Sequence, residues 1–432
     1  MKLRMALKKK SIFFVMVCLL LLAGCGKQQV APIEVSEAAQ YFRLKDTLGM
    51  VCAEVLDPQN DGKLLARYYL VQDPAQHRTP SNSPYKGGGN KKLPSSIDTI
   101  YSPSLVGRDG EGPVFFIPTP LRRVATTSAT HIGFLYALGV LDSVVAMSNP
   151  EWVYNKPLHE VANIGEDINI AMEPLLLAKP DVLFASSYGQ NSQQIARVAE
   201  AGIPVVYLAE WQEQHPLARA EWLRFVAAFF GKTALADSIL GEVRREYQDG
   251  APQHRTPSNS PYKGGGNEKL PSSIDTIYPP SLCREGGGGS SPSIMSGASY
   301  RGTWYVPSGT TYMGCLFRDA GAAYAFAEER TNGSIPLTME QALRVFSEAD
   351  VWVGANARTM DELRAIDEHH TWFKAYRTGR VYHFYNRTNS TGGNDFWETG
   401  VVHPEIILRD LQWALYPSTH SDYTPYFIGQ LQ

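Results

Sequence analysis

Aromatic and polar side chains recur just after the predicted strands of this chain, where open α/β sheets place their ligand contacts. In the first half, Trp152 and Tyr154 follow SVVAMS, Tyr188 follows DVLFAS, and Trp211 follows VVYLA. The corresponding residues of the second half are Trp304, Tyr305, Arg387, Asn394, Asp395, Phe396 and Trp397. Aromatic faces and guanidinium groups suit large planar or anionic ligands. The set predicts a binding cleft, although each aromatic residue taken singly fits a hydrophobic core equally well.

His131 lies at the start of a short predicted helix over residues 130–139, which a glycine closes. Two interpretations are open: a ligand or polar contact in the cleft, or a buried histidine with a structural role. The structural interpretation is favoured, because a single histidine at a helix start is more often a structural residue with satisfied hydrogen bonds than a ligand.

The sequence carries no motif for covalent or redox catalysis. A nucleophile elbow, a pair of catalytic carboxylates and a dinucleotide-binding fingerprint are all missing. Of the five cysteines, Cys18 and Cys25 belong to the predicted signal peptide and its lipidation site, which leaves Cys52, Cys283 and Cys315. An odd number gives no framework of disulfides, and the spacing matches no zinc site, so Cys52 and Cys315 are predicted to be buried small side chains. The adjacent pair His369 and His370 has no carboxylate at a convincing metal-ligand spacing. We therefore predict no catalytic residue, no resident metal and no cofactor.

The N-terminus has the pattern of a lipoprotein signal peptide. Basic residues within positions 2–10 precede an apolar run over residues 12–22, and Leu22-Ala23-Gly24-Cys25 closes it. The apolar run is shorter than the ~20 residues that span a bilayer. We expect cleavage before Cys25 and a lipid on its thiol; which membrane holds the lipid stays open.

The elements that must position the cleft residues alternate between strand and helix. After a predicted hairpin within residues 38–72, buried strands and helices alternate in two regions, which indicates largely parallel sheets. A long helical pattern over residues 217–247 separates them; Gly231 interrupts it, so residues 233–247 are expected to form the bridge. The predicted fold class is α/β, with two βα-rich, Rossmann-like lobes joined by a single long helix.

Two near-identical polar segments interrupt this pattern. Residues 76–105 return at residues 253–282 with only two changes, and both copies are rich in Pro, Gly, Ser and Asn. Neither has the spacing of a phosphate-binding loop. We predict two disordered insertions, at about residues 76–112 and 250–293.

Composition excludes one class of partner. The 432 residues carry a net charge of −3, which gives no basic surface for a nucleic acid. Aromatic residues make up 11% of the chain, consistent with a ligand-lined cleft.

The order of lipobox, βα-rich lobe, long helix and second βα-rich lobe resembles that of substrate-binding lipoproteins of ABC importers for iron siderophores, haem and cobalamin. The local matches are ATTSATHIGFLYALGV, MEPLLLAKPDVLFA, AEWQEQHPLARAEW and TGGNDFWETGVVHPE. AEW and GGNDFWE are similar to a Bacteroidetes branch of that family. The likeness covers nearly all of the chain after Cys25, apart from the insertions, which depart from the pattern.

The resemblance implies that a lipid-anchored monomer captures an iron chelate, a siderophore or haem, in the periplasm and delivers it to an ABC permease and its ATPase. Cobalamin or another corrinoid is the alternative ligand, and a chelatase-like enzyme using the same cleft is the alternative from another class. Carried over by position, Glu173 and Glu340 match lobe-tip glutamates that pair with permease arginines; the alternative is that each only caps its helix.

The expected boundaries follow from these segments. They are a signal peptide over residues 1–25, an N-terminal lobe over 26–215, a connecting helical segment over 216–249, the second insertion over 250–293 and a C-terminal lobe over 294–432.

Overall fold

The computed structural model describes residues 38–47, 50–72, 112–155, 158, 161–166, 168–186, 193–251, 291–331 and 333–432. The predicted signal peptide, Cys25, Tyr188 and nearly all of both predicted insertions lie outside these residues.

The first lobe combines a parallel sheet with a second, mixed sheet. Its strands are β1 (Phe42–Thr47), β2 (Met50–Asp57), β3 (Lys63–Val71), β4 (Val114–Pro118), β5 (Val124–Thr126), β6 (Val144–Met147), β7 (Ala162–Asn163), β8 (Gly165–Glu166), β9 (Asn169–Ile170), β10 (Val182–Ser186) and β11 (Val205–Leu208). Its helices are α1 (Ala129–Ala137), α2 (Met172–Ala178) and α3 (Gln193–Glu200). The order β11-β10-β5-β6-β7 is parallel throughout, as the buried apolar runs predict. β2 and β3 form the predicted hairpin in the sheet β1-β2-β3-β4.

The second lobe repeats the parallel arrangement. Its strands are β12 (Ser293–Ser296), β13 (Ala298–Tyr300), β14 (Thr303–Pro307), β15 (Ala323–Tyr324), β16 (Ser334–Leu337), β17 (Val351–Val353), β18 (Val381–His383) and β19 (Gly429–Gln430). Its sheet has the order β15-β12-β17-β18-β19, with β19 antiparallel, and β13-β14-β16 form a separate antiparallel sheet. The helices are α6 (Tyr312–Asp319), α7 (Met339–Phe346), α8 (Met360–Ile366), α9 (Lys374–Arg377), α10 (Thr399–Val402) and α11 (Pro404–Leu415).

Two helices occupy the connector. They are α4 (Pro216–Phe229) and α5 (Thr233–Gly250), and Gly231 between them has a φ of +63°, in the left-handed region that favours glycine. α4 is buried in the first lobe. α5 places Leu240 in the core of the first lobe and Tyr247 in that of the second. The second half of the helical pattern thus reaches both cores, and its 18 residues span about 27 Å. Leu217 at the start of α4 also packs against the second core, and Arg219 lies over the Tyr312 ring of the second lobe at 4.4 Å, so α5 is not the sole bridge that the sequence predicts.

The two cores draw on different parts of the chain. The first extends from Phe42 to Leu240 and is completed by Val401 and Val402 of α10. The second runs from Tyr247 to Leu431. Residues 401–402, which the expected boundaries assign to the C-terminal lobe, thus pack in the first core.

Buried carboxylates fix the chain segments at the margins of both lobes. Glu213 accepts hydrogen bonds from the main-chain N–H groups of Gln40 and Tyr41 and from Trp222 Nε1. Asp410 of α11 accepts from the N–H groups of Phe427 at 2.6 Å and Ile428 at 3.0 Å. Each carboxylate thereby satisfies main-chain donors of a segment with little regular structure.

One smaller prediction concerns the cysteines. Cys52 and Cys315 are buried and free, as predicted. Among the helices in the described part of the chain, none has the length and apolar character needed to cross a membrane.

Candidate ligand-binding site

The carboxyl edge of the first sheet presents tryptophans on short 3-10 turns. Trp152 ends the turn Pro150–Trp152 that follows β6, and 57% of its surface is exposed. Asn149 enters that turn with a φ of +51°, which swings the chain away from the sheet. Trp211 lies in a second turn directly after β11 and is half-buried. Both tryptophans therefore lie where the crevice of an open α/β sheet is expected.

The carboxyl edge of the second sheet carries guanidinium groups. Arg387 lies on the loop after β18, and Arg358 on the loop after β17. Arg387 Nε donates to Asp395 Oδ2 at 2.7 Å, and Asp395 is fully buried. The guanidinium lies over the ring of Tyr426 at 4.1 Å and that of Tyr154 at 5.2 Å, measured to the ring centroids. A cation is thus held between one aromatic ring from each lobe.

The charge of Arg387 is compensated within the protein. Burial disfavours its charged form, but the hydrogen bond to Asp395 and the favourable electrostatic interactions with Asp395, Tyr426 and Tyr154 together outweigh that effect and raise the pKa of Arg387. An ion pair of this kind positions the guanidinium and leaves less of its charge for a ligand.

A set of hydrogen bonds joins the two lobes beside Arg387; we call it the seam, formed by residues 151–155 and 389–399. Glu398 is fully buried and accepts from the N–H groups of Tyr154 at 2.5 Å and Asn155 at 3.1 Å. Asn155 Nδ2 also donates to Glu398 Oε2 at 3.1 Å and to Asp395 Oδ1 at 2.9 Å. Burial raises the pKa of Glu398, and the hydrogen bonds from Tyr154 and Asn155 oppose that rise.

Other contacts along the seam are equally close. Asn389 Nδ2 donates to the carbonyl oxygen of Val153 at 2.8 Å, and Thr391 Oγ1 donates to that of Glu151 at 2.5 Å. A Cβ on Gly133 would collide with the carbonyl oxygen of Glu398, so α1 approaches this segment through a glycine. The TGGNDFWETG motif is therefore mainly an interlobe contact.

Several residues predicted for the cleft take part in the seam or the core instead. Asn394 caps the 3-10 turn Asp395–Trp397 by accepting from Phe396 N, and Asp395 holds Arg387. Phe396 is 2% exposed and stacks on Phe384 at 4.5 Å between ring centroids. Trp397 remains 44% exposed. Of this run, Trp397 alone offers a ring to solvent, because the turn directs Phe396 inward.

Trp304 corrects a prediction. Trp304 is fully buried, donates from Nε1 to the carbonyl oxygen of Ser296 at 3.0 Å and packs on Trp352 and Phe373. It lies on β14, where side chains alternate between faces, so Trp304 points to the core and Tyr305, 44% exposed, points outward. Trp304 belongs to the core of the second lobe, because the segment predicted as a loop end is a strand of the small antiparallel sheet.

His131 also departs from the cleft assignment. It is 1% exposed, and its Nδ1 lies 2.7 Å from Thr126 Oγ1. Burial lowers its pKa, so the ring is neutral near pH 7. These contacts agree with the structural interpretation, since the folded chain covers the ring.

The two lobe-tip glutamates lie in the first turns of their helices, and both are exposed. In α7, Thr338 and Gln341 form a capping box, which leaves the side chain of Glu340 83% exposed. Glu340 pairs with Arg344 at 3.3 Å, one turn along the helix. Glu173 is exposed in the first turn of α2, whose N-cap residue Ala171 makes no side-chain hydrogen bond. The helix-capping alternative is not needed for Glu340, because other residues cap α7.

Sequence analysis does not single out four residues of this region: Asn155, Arg358, Glu398 and Tyr426. Arg358 follows the buried apolar run that forms β17, so the rule that selected Arg387 would have selected it as well. Glu398 directly follows the predicted residues 394–397. Nothing in the sequence marks Asn155 or Tyr426, because their importance comes from partners in distant segments.

Comparison with known proteins places this fold in a family. A family model described as periplasmic binding protein matches residues 124–261 and 285–388, more than half of the chain. An uncharacterized lipoprotein of Methanocaldococcus jannaschii is 24% identical over 318 residues, which span 70% of this chain and 66%, just under two thirds, of that protein. A second uncharacterized lipoprotein of the same organism is 21% identical over 313 residues, spanning 68% of this chain and 73% of that protein.

A solved structure supports the fold. The crystal structure of a periplasmic heme binding protein from Pseudomonas aeruginosa superposes with a TM-score of 0.50 at 16% identity, covering 72% of this chain and 98% of that one. At this identity the likeness concerns the fold alone. With the family model matched across both lobes, the chain belongs to the periplasmic binding protein family.

Proposed function

We propose that this protein is the substrate-binding component of an ABC importer and captures an iron chelate, a siderophore or haem, between its lobes. The observation that carries the proposal is that tryptophans lie on the first carboxyl edge, Trp152 exposed and Trp211 half-buried, while guanidinium groups lie on the second. Cobalamin is the alternative ligand. The name of the heme binding protein with a similar fold supports a large, planar, metal-bearing ligand.

The chemistry of the two edges fits such a ligand. Trp152 and Trp211 offer indole faces for a macrocycle or a catecholate ring, and Trp397 offers a third from the other lobe. Guanidinium groups recognise the carboxylate or phenolate oxygens that iron chelates carry. A protein that only binds its ligand and passes it on needs no further reactive group.

Delivery requires contact with a permease, and we assign it to Glu173 and Glu340. Each carboxylate is exposed at the start of a helix, where the helix dipole favours negative charge. One such group on each lobe provides two attachment points for basic residues of a partner. We propose a lipid on Cys25 as the link to the membrane, in keeping with the lipoprotein names of two relatives.

Ligand titration tests the binding proposal. The purified protein is mixed with hemin, cyanocobalamin, ferrichrome and ferric enterobactin, and absorbance and thermal unfolding are recorded. We expect a shifted absorbance band and a raised Tm with at least one iron chelate, since a ligand at 100 times its Kd stabilises the fold by about 2.7 kcal/mol. No change in absorbance or Tm with any of the four compounds would reject the ligand class. Chemical change of the recovered ligand would favour a chelatase-like enzyme.

A charge-reversal variant tests delivery separately. Glu173→Lys combined with Glu340→Lys should abolish uptake of the chelate by cells that carry the importer, while the affinity of the purified protein stays unchanged. The matched control is Glu242→Lys, an exposed glutamate on α5 away from both lobe tips. A fall in ligand affinity in the double variant would instead place these carboxylates in the cleft.

A further inference from the structure

Arg358 lies beside Arg387 on the carboxyl edge of the second sheet but has a different environment. It is exposed on the loop after β17. Its NH2 group donates to Thr388 Oγ1 at 2.6 Å, and Thr388 directly follows Arg387. Arg358, from the loop after β17, therefore contacts the loop after β18 that carries Arg387.

The guanidinium group of Arg358 is held in a fixed orientation. NH1 lies 3.4 Å from the carbonyl oxygen of Tyr385, and the guanidinium carbon lies 5.7 Å from the centroid of the Tyr385 ring. Tyr385 is itself fixed, since its hydroxyl donates to Asn356 Oδ1 at 2.8 Å and its ring stacks with His383. A preorganised guanidinium loses less side-chain entropy when a ligand binds.

The charges of the two arginines are balanced differently. Arg387 forms an ion pair with the buried Asp395. The contacts of the Arg358 guanidinium within the described residues are a carbonyl oxygen, a hydroxyl and an aromatic ring, all of them uncharged. Glu362, a carboxylate one helical turn along the chain, accepts from the main-chain N–H of Arg358 instead. A full positive charge therefore faces solvent at this edge.

We propose that Arg358 is the anion-recognising residue of the second lobe and selects chelates that carry carboxylate or catecholate oxygens over neutral chelates. This inference rests on the proposed function. Arg387, in turn, is a positioning residue that links Tyr154 of the first lobe to Tyr426 of the second.

Matched arginine variants test the division of roles. The variants are Arg358→Gln, Arg387→Gln and, as the control, Arg301→Gln, an exposed arginine that also lies over a tyrosine ring, on the β13–β14 turn. The probes are hemin and ferric enterobactin, which are anionic, and ferrichrome, which is neutral. Each titration is run at low and high salt, and the Tm of each ligand-free variant is measured.

We expect Arg358→Gln to weaken binding of the anionic probes about 10- to 100-fold at low salt, with a smaller loss at high salt and an unchanged Tm without ligand. Arg358→Lys should recover part of the loss because it restores the charge without the fork of donors. Arg387→Gln should lower the Tm of the free protein, and Arg301→Gln should change neither quantity.

The possible outcomes distinguish failure of the role assigned to Arg358 from failure of the proposed chelate-binding function. Wild-type protein that binds none of the probes overturns the proposed function. Wild-type protein that binds hemin or ferric enterobactin while Arg358→Gln binds it as tightly overturns only the role of Arg358. Preference of the wild type for ferrichrome, or a larger loss of affinity in Arg387→Gln, also contradicts the inference.

Discussion

The first and second lobes complete their hydrophobic cores from different parts of the chain. In the first lobe, Val401 and Val402 of α10 fill positions beside residues that precede them by more than 150 positions. In the second lobe, nearly the whole core comes from its own continuous stretch, with Tyr247 added from the connector. The first lobe therefore depends on the second half of the chain much more than the second lobe depends on the first half.

This difference locates where the molecule can bend. The seam joins Tyr154 to Glu398 across 244 positions, α10 packs in the first core and Phe396 packs in the second, so this segment is held to both lobes. Opening of the cleft must therefore occur away from the seam, as a small rotation, because α5 also packs on both cores.

The largest expected effect comes from removing the carboxylate of the seam. Glu398→Ala leaves the N–H groups of Tyr154 and Asn155 without their acceptor in a buried site, and should lower the free energy of unfolding by about 4 kcal/mol. Urea denaturation measures the loss, and hydrogen exchange should rise first in α1. The control is Glu246→Ala, which removes an exposed ion pair with Arg409 and should cost less than about 1 kcal/mol. Equal losses in the two variants would contradict a special role for the seam.

One buried carboxylate in each lobe, Glu213 and Asp410, should make the free energy of unfolding depend on pH. Burial raises the pKa of Glu213 to about 7, from an ordinary value of 4.5. The folded state therefore binds its proton more tightly than the unfolded state, and stability falls as the pH rises from about 4.5 to about 7, by roughly 3 kcal/mol from this group. Burial also raises the pKa of Asp410 in the second lobe, so its contribution has the same sign.

The test compares urea denaturation at pH 5 and pH 8. Glu213→Gln should flatten the pH dependence of the unfolding free energy, because the amide does not ionise. Asp410→Asn, measured from pH 4 upward, should flatten the part of the dependence that begins at the ordinary carboxyl range, which assigns that share to the second lobe. An unchanged slope in Glu213→Gln would show that Glu213 is already ionised at pH 5.

The smallest expected effect comes from shortening one core side chain in each lobe. Val401→Ala removes buried methyl groups from the first core, and Val351→Ala does so in the second. Each should cost about 2 kcal/mol. Hydrogen exchange should increase in the strands of the first lobe for Val401→Ala and in those of the second for Val351→Ala. Increased hydrogen exchange in the second lobe for both variants would contradict the assignment of Val401 to the core of the first lobe.

The sequence predicts the fold through local patterns. The apolar runs within residues 38–72 predict the β2–β3 hairpin, and the alternation of buried strands and helices predicts the parallel sheets. Gly231 marks the break in the connector because a left-handed φ there favours glycine. Each of these signals lies within a few residues of the structure it predicts.

The candidate site is only partly predictable from the sequence. The rule for carboxyl ends of strands finds Trp152, Trp211 and Arg387, because a single strand end determines their place. It fails for Trp304, since a strand of a separate antiparallel sheet turns that ring into the core. Glu398 and Tyr154 are recognisable as a pair only once two segments 244 positions apart are brought together.

The position of Val401 and Val402 has a consequence for the order in which the chain folds. A chain that emerges from its N-terminus, during synthesis or passage through a translocation channel, exposes the apolar faces of α1 and α4 long before α10 appears. The first lobe is therefore the first to be made and the last to be completed. Until about residue 402 has emerged, it remains an incomplete intermediate with exposed apolar surface.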